Sequence, residues 1–308
     1  MKHFPKTSKL RVIIFIIAGA AAIFVIGRNI VLTEIGSTPL ATPVAGRRAF
    51  DFDLPDSNIC AGIRLNVKSG IAIDNKTHKV LYCYNADSMM PVASISKLLT
   101  AMVVLDNYKP DSIMTITEDD GTNSAKSSLR IGERITVRDL LHVALIRSDN
   151  RAARAISRSI SPTYEAFANK MNAKAREIGL ANTVMYEPTG LDERNRSTAA
   201  DCARLINQAM LYPLIARITS LKDYTYRTVD RNKLKRVVNT NKLVFSKYRI
   251  LAGKTGYISE SDYCLTTVME DGSGRKVTVV VLGAPGPQTR FREARRLATW
   301  AFRRLGTS

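Results

Sequence analysis

The chain has 308 residues, 45% hydrophobic and 24% charged, a balance that excludes disordered, collagen-like and low-complexity proteins. A formal charge of +19 favours anionic partners such as nucleic acid, anionic lipid or an acidic wall polymer, with a plain solubility charge as the alternative. Four Cys are too few for a disulfide-built scaffold, and three His (His3, His78, His142) argue against a multi-His metal centre, so no metal and no cofactor are expected.

The first 50 residues carry Lys2, Lys6, Lys9, Arg11, Arg28, Arg47 and Arg48 against Glu34 alone. Within them, residues 12–27 (VIIFIIAGAAAIFVIG) are uncharged and follow basic residues, the pattern of a signal peptide or an uncleaved signal anchor. Arg28 can snorkel and residues 30–32 extend the apolar run, which predicts an N-terminal transmembrane helix, a cytoplasmic N-terminus and an exported remainder. No clear A-x-A site follows, which favours the anchor. Residues 1–32 are thus read as tail and anchor, and 33–58, rich in Pro, Thr, Gly and Ala, as a linker. Export allows disulfides among Cys60, Cys83, Cys202 and Cys264 in three full pairings, and buried thiols equally well.

Further on, residues 71–73 and 79–84 are β-prone and read as a hairpin. Pro91 opens a helical pattern with Leu98, Leu99, Met102, Val103 and Leu105 on one face. Helices are predicted at 136–147, 152–160, 164–178 (stopped by Gly179) and 199–212, with Pro213 after the last. Strands follow at 249–256, 263–269 and 276–282, then a basic helix at 288–305 whose Phe291, Leu297, Trp300 and Ala301 side suits packing on a sheet. Strands, a helical block, strands and a helix imply one sheet closed by distant parts of the chain, an α/β (α+β) arrangement with a helical insertion at about 107–235 inside a domain spanning 59–305.

Three short motifs carry chemistry. Ser94-Ile95-Ser96-Lys97 puts a hydroxyl and an amine one helical turn apart, and a serine becomes a nucleophile when a neutral lysine takes its proton. Burial, a helix N-terminus and a second cation would each lower the Lys97 pKa. In Ser148-Asp149-Asn150, Ser148 could pass a proton to a leaving amine and Asn150 could hold a substrate amide; taken alone the triplet is ordinary turn chemistry. Lys254-Thr255-Gly256 on a strand would grip a carboxylate, with Gly256 allowing close approach of a ligand. A phosphate-loop reading of Gly253-Lys254-Thr255 fails, because Tyr248 stands where that loop needs glycine.

The ordered set S-x-x-K, S-x-N, K-T-G resembles that of the penicillin-recognising serine transferases and hydrolases. Residues 91–106 (PVASISKLLTAMVVLD), 167–205, 239–244 (NTNKLV) and 254–265 (KTGYISESDYCL) are similar to the D-alanyl-D-alanine carboxypeptidases, the low-molecular-mass penicillin-binding proteins. YEPTGL, NTNKLV and KTGYI most resemble the D-alanyl-D-alanine endopeptidase branch. The resemblance implies a β-lactamase/transpeptidase-like fold, an antiparallel sheet flanked by helices with an inserted all-helical subdomain. It implies Ser94 as acylated nucleophile, Lys97 as base, Ser148 and Asn150 as the second motif, Lys254, Thr255 and Gly256 at the substrate carboxylate, and the N–H groups of Ser94 and Tyr257 as oxyanion hole. The implied partners are peptidoglycan peptides and β-lactam antibiotics, with membrane contact through the N-terminal helix, a periplasmic or other extracytoplasmic location and no nucleic acid.

Asp149 replaces the family's frequent Gly or Glu and is expected to matter little; Ser261-Asp262 replaces a usual Ala-Gly and is expected to add bulk and charge near the cleft. Carboxypeptidase and endopeptidase activity both remain open. A β-lactamase-like hydrolase and an inactive wall-binding protein are the alternatives; the first is disfavoured because no E-x-x-L-N pattern follows the second motif, and a Ser-His-Asp hydrolase because no G-x-S-x-G occurs.

Overall fold

The computed structural model describes residues 21–26, 29–34, 50–55, 62–121, 127–230 and 232–306. The chain divides into two compact units, Met1–Ala41 and Thr42–Ser308. In the first, Ala21–Ile26 pairs antiparallel with Asn29–Glu34. The expected membrane helix is therefore not shown: residues 12–20 lie outside the described ones, and residues 21–26 lie in a strand. Among the described residues no helix is long and apolar enough to cross a membrane.

The second unit is built on a five-stranded antiparallel sheet. Its strands are β1 (Ser69–Asp74), β2 (Val80–Tyr84), β3 (Arg249–Ile258), β4 (Asp262–Glu270) and β5 (Lys276–Ala284), in the spatial order β3-β4-β5-β1-β2. Closure comes from β5 pairing with β1, Val280 opposite Ile71, which joins segments some two hundred residues apart. Alternation sorts the side chains. Cys264, Val268, Val280, Leu282, Ile71 and Ile73 enter one core, whereas Leu265, Met269, Val277, Val279, Val281 and Ala72 enter the other. With both faces covered, β1 is buried throughout and β5 at all but its first residue.

The second core is closed by the C-terminal helix α7 (Thr289–Gly306), which contributes Phe291, Leu297, Ala298, Ala301 and Phe302 and leaves Arg292, Arg295 and Arg296 in solvent. The first core is closed by the segments between β2 and β3: α1 (Lys97–Asn107), α2 (Val137–Ile146), α3 (Asn150–Arg158), α4 (Tyr164–Glu177), α5 (Ala199–Ala209) and α6 (Pro213–Ser220). Thr136, Asp149, Thr163 and Thr198 each accept a backbone N–H at a helix start, so four of these helices begin at a side-chain cap. Polar pairs also pin α5 to the sheet: Asn207 Nδ2 donates to Thr278 Oγ1 at 2.7 Å, and Asn75 Nδ2 to Asn207 Oδ1 at 2.6 Å.

Several expectations need correction. The block between β2 and β3 is not all helix: Ile113–Thr115 pairs with Arg134–Thr136, and Asp223–Arg227 with Leu234–Val238. The first ladder is too short to show a period, and DYTYR buries only Tyr226, so its burial carries no clear alternation. Pro91 does not start a helix. Met90–Pro91 forms a two-residue ladder with Arg196–Ser197, a 3₁₀ turn covers Ala93–Ser96, and α1 begins at Lys97. A residue before proline is driven to extended backbone, which suits this ladder. Pro213 opens α6 rather than merely following α5. Finally, the end of the expected linker is packed: Phe50 and Phe52 are buried, and Arg204 lies 4.2 Å over the Phe52 ring while donating to its carbonyl at 2.7 Å.

Candidate active site

Ser94 sits in the 3₁₀ turn that precedes α1, and Lys97 is the first residue of that helix. The α1 N-terminus has no side-chain cap, so the Ser94 hydroxyl is not used as one; it lies 3.3 Å from the Thr189 carbonyl. The turn is held in an unfavourable shape by Ala93, whose φ of 48° is left-handed. Two glycines make room for it. A Cβ on Gly190, itself at φ 82°, would overlap the Ala93 carbonyl and lie 2.7 Å from Ser94 N, and one on Gly256 would lie 2.6 Å from the Val92 carbonyl and 3.3 Å from Ser94 N. Strand β3 therefore runs against the backbone of Ser94, which brings together the segments bearing the two expected oxyanion donors, Ser94 and Tyr257.

The Lys97 amine, 1% exposed as a residue, has three acceptors within 2.8 Å: Ser94 Oγ, Asn150 Oδ1 and the Thr189 carbonyl. A neutral amine has two N–H donors and one lone pair. As an ammonium, Lys97 donates to all three; once neutral, its two N–H groups are claimed by Asn150 Oδ1 and Thr189 O, which can only accept, and the lone pair is left for Ser94 Oγ, the one partner that can also donate. Burial lowers the Lys97 pKa from 10.5 to about 8, against the pull of Glu187 and then Asp149 in the other direction.

On β3, Lys254 Nζ donates to Ser148 Oγ at 2.7 Å and to the Thr255 carbonyl at 2.8 Å. Burial first, then the cations of Lys97 and Arg290, hold its pKa well below the ordinary lysine value. Because Ser148 accepts from Lys254, its own proton is available to the cleft. Ser148 takes a left-handed φ of 63°, and Asn150 opens α3 immediately after it. Thr255 Oγ1 lies 2.7 Å from Thr240 Oγ1, and Thr240 is tied to the end of α2 through the Ile146 carbonyl. Tyr257 is 52% exposed and stacks on Tyr263 with centroids 4.2 Å apart. Arg290 reaches from α7 to donate to the Gly256 carbonyl at 2.9 Å, and burial lowers its pKa to about 10.

The structure thus gathers Ser94, Lys97 and Asn150 around one amine and Ser148, Lys254 and Thr255 around a second, with Gly256 and Tyr257 on the strand beside them. Sequence reasoning did not single out Thr189, Glu187, Thr240 or Arg290. The first acts through a backbone carbonyl, which leaves no side-chain signature; Glu187 and Thr240 lie inside stretches noted only as resemblances, and Arg290 was read only as one of the charges of the basic C-terminal helix.

Asp149 has more to do than expected. Its carboxylate caps α3 at Ala152 N (3.1 Å) and holds Ser127 Oγ (3.0 Å) and Ser128 N (3.1 Å). Asp149→Ala is expected to lower stability by about 0.5–2 kcal/mol, read as a fall in Tm, whereas Asp149→Asn keeps the cap and most of the stability. Ser261 is fully buried and accepts from Ile258 N at 3.1 Å, closing the β3–β4 turn, while Asp262 pairs with Lys68 at 2.8 Å; the expected extra charge is partly neutralised there.

Of the cysteines, Cys202 and Cys264 are buried free thiols whose pKa values burial raises, that of Cys264 to about 11, and Cys60 lies outside the described residues. His142 stacks on Tyr224 at 3.7 Å and His78 bonds the Asp51 carbonyl at 3.0 Å, so both rings are engaged structurally. Among the described residues no cluster of His, Cys, Asp and Glu could hold a metal.

A family profile described as Peptidase S11, D-alanyl-D-alanine carboxypeptidase, matches residues 58–286. A D-alanyl-D-alanine endopeptidase of Pseudomonas aeruginosa is 40% identical over 237 residues, covering 75% of this chain and 76% of its own; one of Escherichia coli is 36% identical over 238 residues, with the same coverage. Among solved structures, the Streptomyces K15 DD-transpeptidase superposes with a TM-score of 0.72 at 28% identity, covering 78% of this chain and 98% of its own.

Proposed function

Since the chain belongs to the Peptidase S11 family of D-alanyl-D-alanine carboxypeptidases, we propose that it is a serine-type DD-peptidase that cuts peptidoglycan stem peptides through an acyl-Ser94 intermediate. The observation that carries this reading is the buried Lys97 amine, 2.8 Å from Ser94 Oγ and also bonded to two groups that can only accept, Asn150 Oδ1 and the Thr189 carbonyl.

The steps follow from that arrangement. Neutral Lys97 takes the Ser94 proton as Oγ attacks the carbonyl of a D-alanyl residue. The negative charge that develops on the carbonyl oxygen is met by the N–H groups of Ser94 and Tyr257. Ser148, whose oxygen is already held by Lys254, donates its proton to the leaving amine, and Asn150 steadies both Lys97 and the substrate amide. Lys254 and Thr255 hold the carboxylate beyond the scissile bond, where the arriving anion restores charge to Lys254. Water then attacks the acyl-enzyme and gives a proton back to Ser148, while Lys97 returns the proton it took to the departing Ser94 Oγ, so the acid is released and all three groups are restored. A β-lactam, with a strained amide and a carboxylate, would enter the same steps and remain as an acyl adduct.

We assign the cross-link as the preferred substrate, supported by the endopeptidases of Pseudomonas aeruginosa and Escherichia coli at 40% and 36% identity. Incubation with a pentapeptide and with a cross-linked muropeptide dimer, followed by mass analysis, tests this. Monomers released from the dimer are expected; loss of D-alanine from the pentapeptide alone would make the enzyme a carboxypeptidase, and no product from either would overturn the peptidase reading. The proposed setting is outside the cytoplasmic membrane, tethered through residues 12–27; recovery in the cytosolic fraction would reject it.

A further inference from the structure

Glu187 takes part in none of these steps, yet its carboxylate gathers an unusual set of donors. One oxygen accepts from Thr189 N at 2.7 Å and from the Thr189 hydroxyl at 2.6 Å. The other accepts from Leu191 N at 2.9 Å, from Asn195 Nδ2 at 2.9 Å and from Gly190 N. Three consecutive backbone N–H groups wrapped on an anion form a nest. Asn195 closes it from outside, its Oδ1 accepting from Tyr186 N at 2.6 Å and Glu187 N at 3.2 Å. Inside the nest Thr189 is fully buried, and Gly190 at φ 82° lies against the Ala93 carbonyl. With its flanking N–H groups turned toward Glu187, the Thr189 carbonyl faces the other way, onto Lys97 Nζ and Ser94 Oγ.

We propose that Glu187 is a positioning residue for acylation: by gathering the N–H groups of residues 189–191 it holds the Thr189 carbonyl against Lys97 and so aims the amine lone pair at Ser94. It touches neither substrate nor reacting atoms, and the inference rests on the acylation reading above. The same contacts keep this carboxylate from activating a water, as in the E-x-x-L-N type of lactamase, so the penicilloyl adduct should be long-lived.

The charged groups facing Lys97 are Glu187 on this loop and Asp149 at the start of α3, both favouring the ammonium form, while Lys97 itself and Arg290 on α7 lower the pKa of Lys254 on β3. Glu187→Gln removes one of the two anions and turns an amide NH₂ toward the nest. In stopped-flow acylation of the purified protein by a fluorescent penicillin, from about pH 6 to about pH 10, two changes are expected. The high-pH plateau falls about 10- to 100-fold, the scale of a misplaced catalytic group, and the acid limb moves to lower pH. A loop that had merely loosened would admit water to Lys97 and move the limb upward, since burial is what chiefly lowers its pKa. Glu187→Asp keeps the charge but is one methylene short, so its plateau falls without a downward shift of the limb.

A Glu187→Gln plateau equal to wild type, or a fall with no downward shift, overturns the inference alone; wild-type protein that takes no penicillin overturns the acylation reading and the inference with it. Should Glu187→Gln not fold, Thr189→Val removes one donor from the nest and is expected to lower the plateau by about 3- to 10-fold, and an unchanged rate there overturns the inference.

Discussion

Replacement of Lys97 by methionine is expected to slow acylation of Ser94 by about 10²- to 10⁴-fold, the usual worth of a positioned general base. Methionine matches the lysine stem in length and suits a buried site, so packing is nearly preserved. The Asn150 and Thr189 acceptors each lose a donor, at roughly 1–3 kcal/mol per buried group, while the protein no longer buries an amine that would prefer to be charged. These effects oppose one another, so a small change in Tm beside a large loss of rate is the expected signature.

The pH profile gives a second reading of the same residue. Only the unprotonated amine accepts a proton, and with a pKa of about 8 roughly one Lys97 in ten is neutral at pH 7, against about one in three thousand for an ordinary lysine. Wild-type acylation should rise through about pH 8 and then level, and Lys97→Met should lose that limb. Near-normal penicillin labelling of Lys97→Met would remove Lys97 from the role of base.

Gly190→Ala should be severely damaging for a single added methyl. At φ 82° an L side chain is strained by about 1–2 kcal/mol, and the added carbon would overlap the Ala93 carbonyl, an overpacking of about 1–3 kcal/mol. Neither partner is free to give way. Ala93 is itself at φ 48° and fully buried, and Gly190 is fastened through its N–H to Glu187. The relief available is a shift of the nucleophile turn, and a displacement near 1 Å costs about 10²-fold in rate. The expectation is a Tm lower by about 4–15 °C together with about 10²-fold slower acylation. Gly272→Ala is the control: its Cβ would meet nothing, and it should change neither quantity appreciably. Wild-type rate and Tm in Gly190→Ala would mean that the contact between this loop and the Ser94 turn is not needed.

The parts of the molecule legible from residues alone are those in which a local pattern carries the signal. The strands β3, β4 and β5 and helices α2, α4 and α5 lie within a few residues of their predicted bounds, because β-branched and apolar runs or an amphipathic period persist over several positions and each of the three helices starts at an ordinary Thr cap. Their correct grouping into one sheet with helices on its faces followed from their order. Short ladders escaped, since three residues show no period, and so did Phe50 and Phe52, whose composition is that of a linker although their rings are buried.

For the site, the chain order supplied the chemical inventory: a hydroxyl and an amine one turn apart, a serine two residues from an amide, a lysine and threonine before a glycine. Those are properties of side chains at short spacing, and composition together with spacing suffices to propose them. Which atoms face which was decided by packing across long separations. Thr189 offers its backbone carbonyl, a group every residue possesses, and it becomes an acceptor for Lys97, 92 positions away, only because a carboxylate nest turns its peptide plane. Lys254 feels the charge of Lys97 because folding sets β3 against the turn that precedes α1, and the lowered pKa values of the two lysines arise from burial that no local window contains. Reactive groups are written residue by residue, but an environment is a sum over neighbours brought together only by folding.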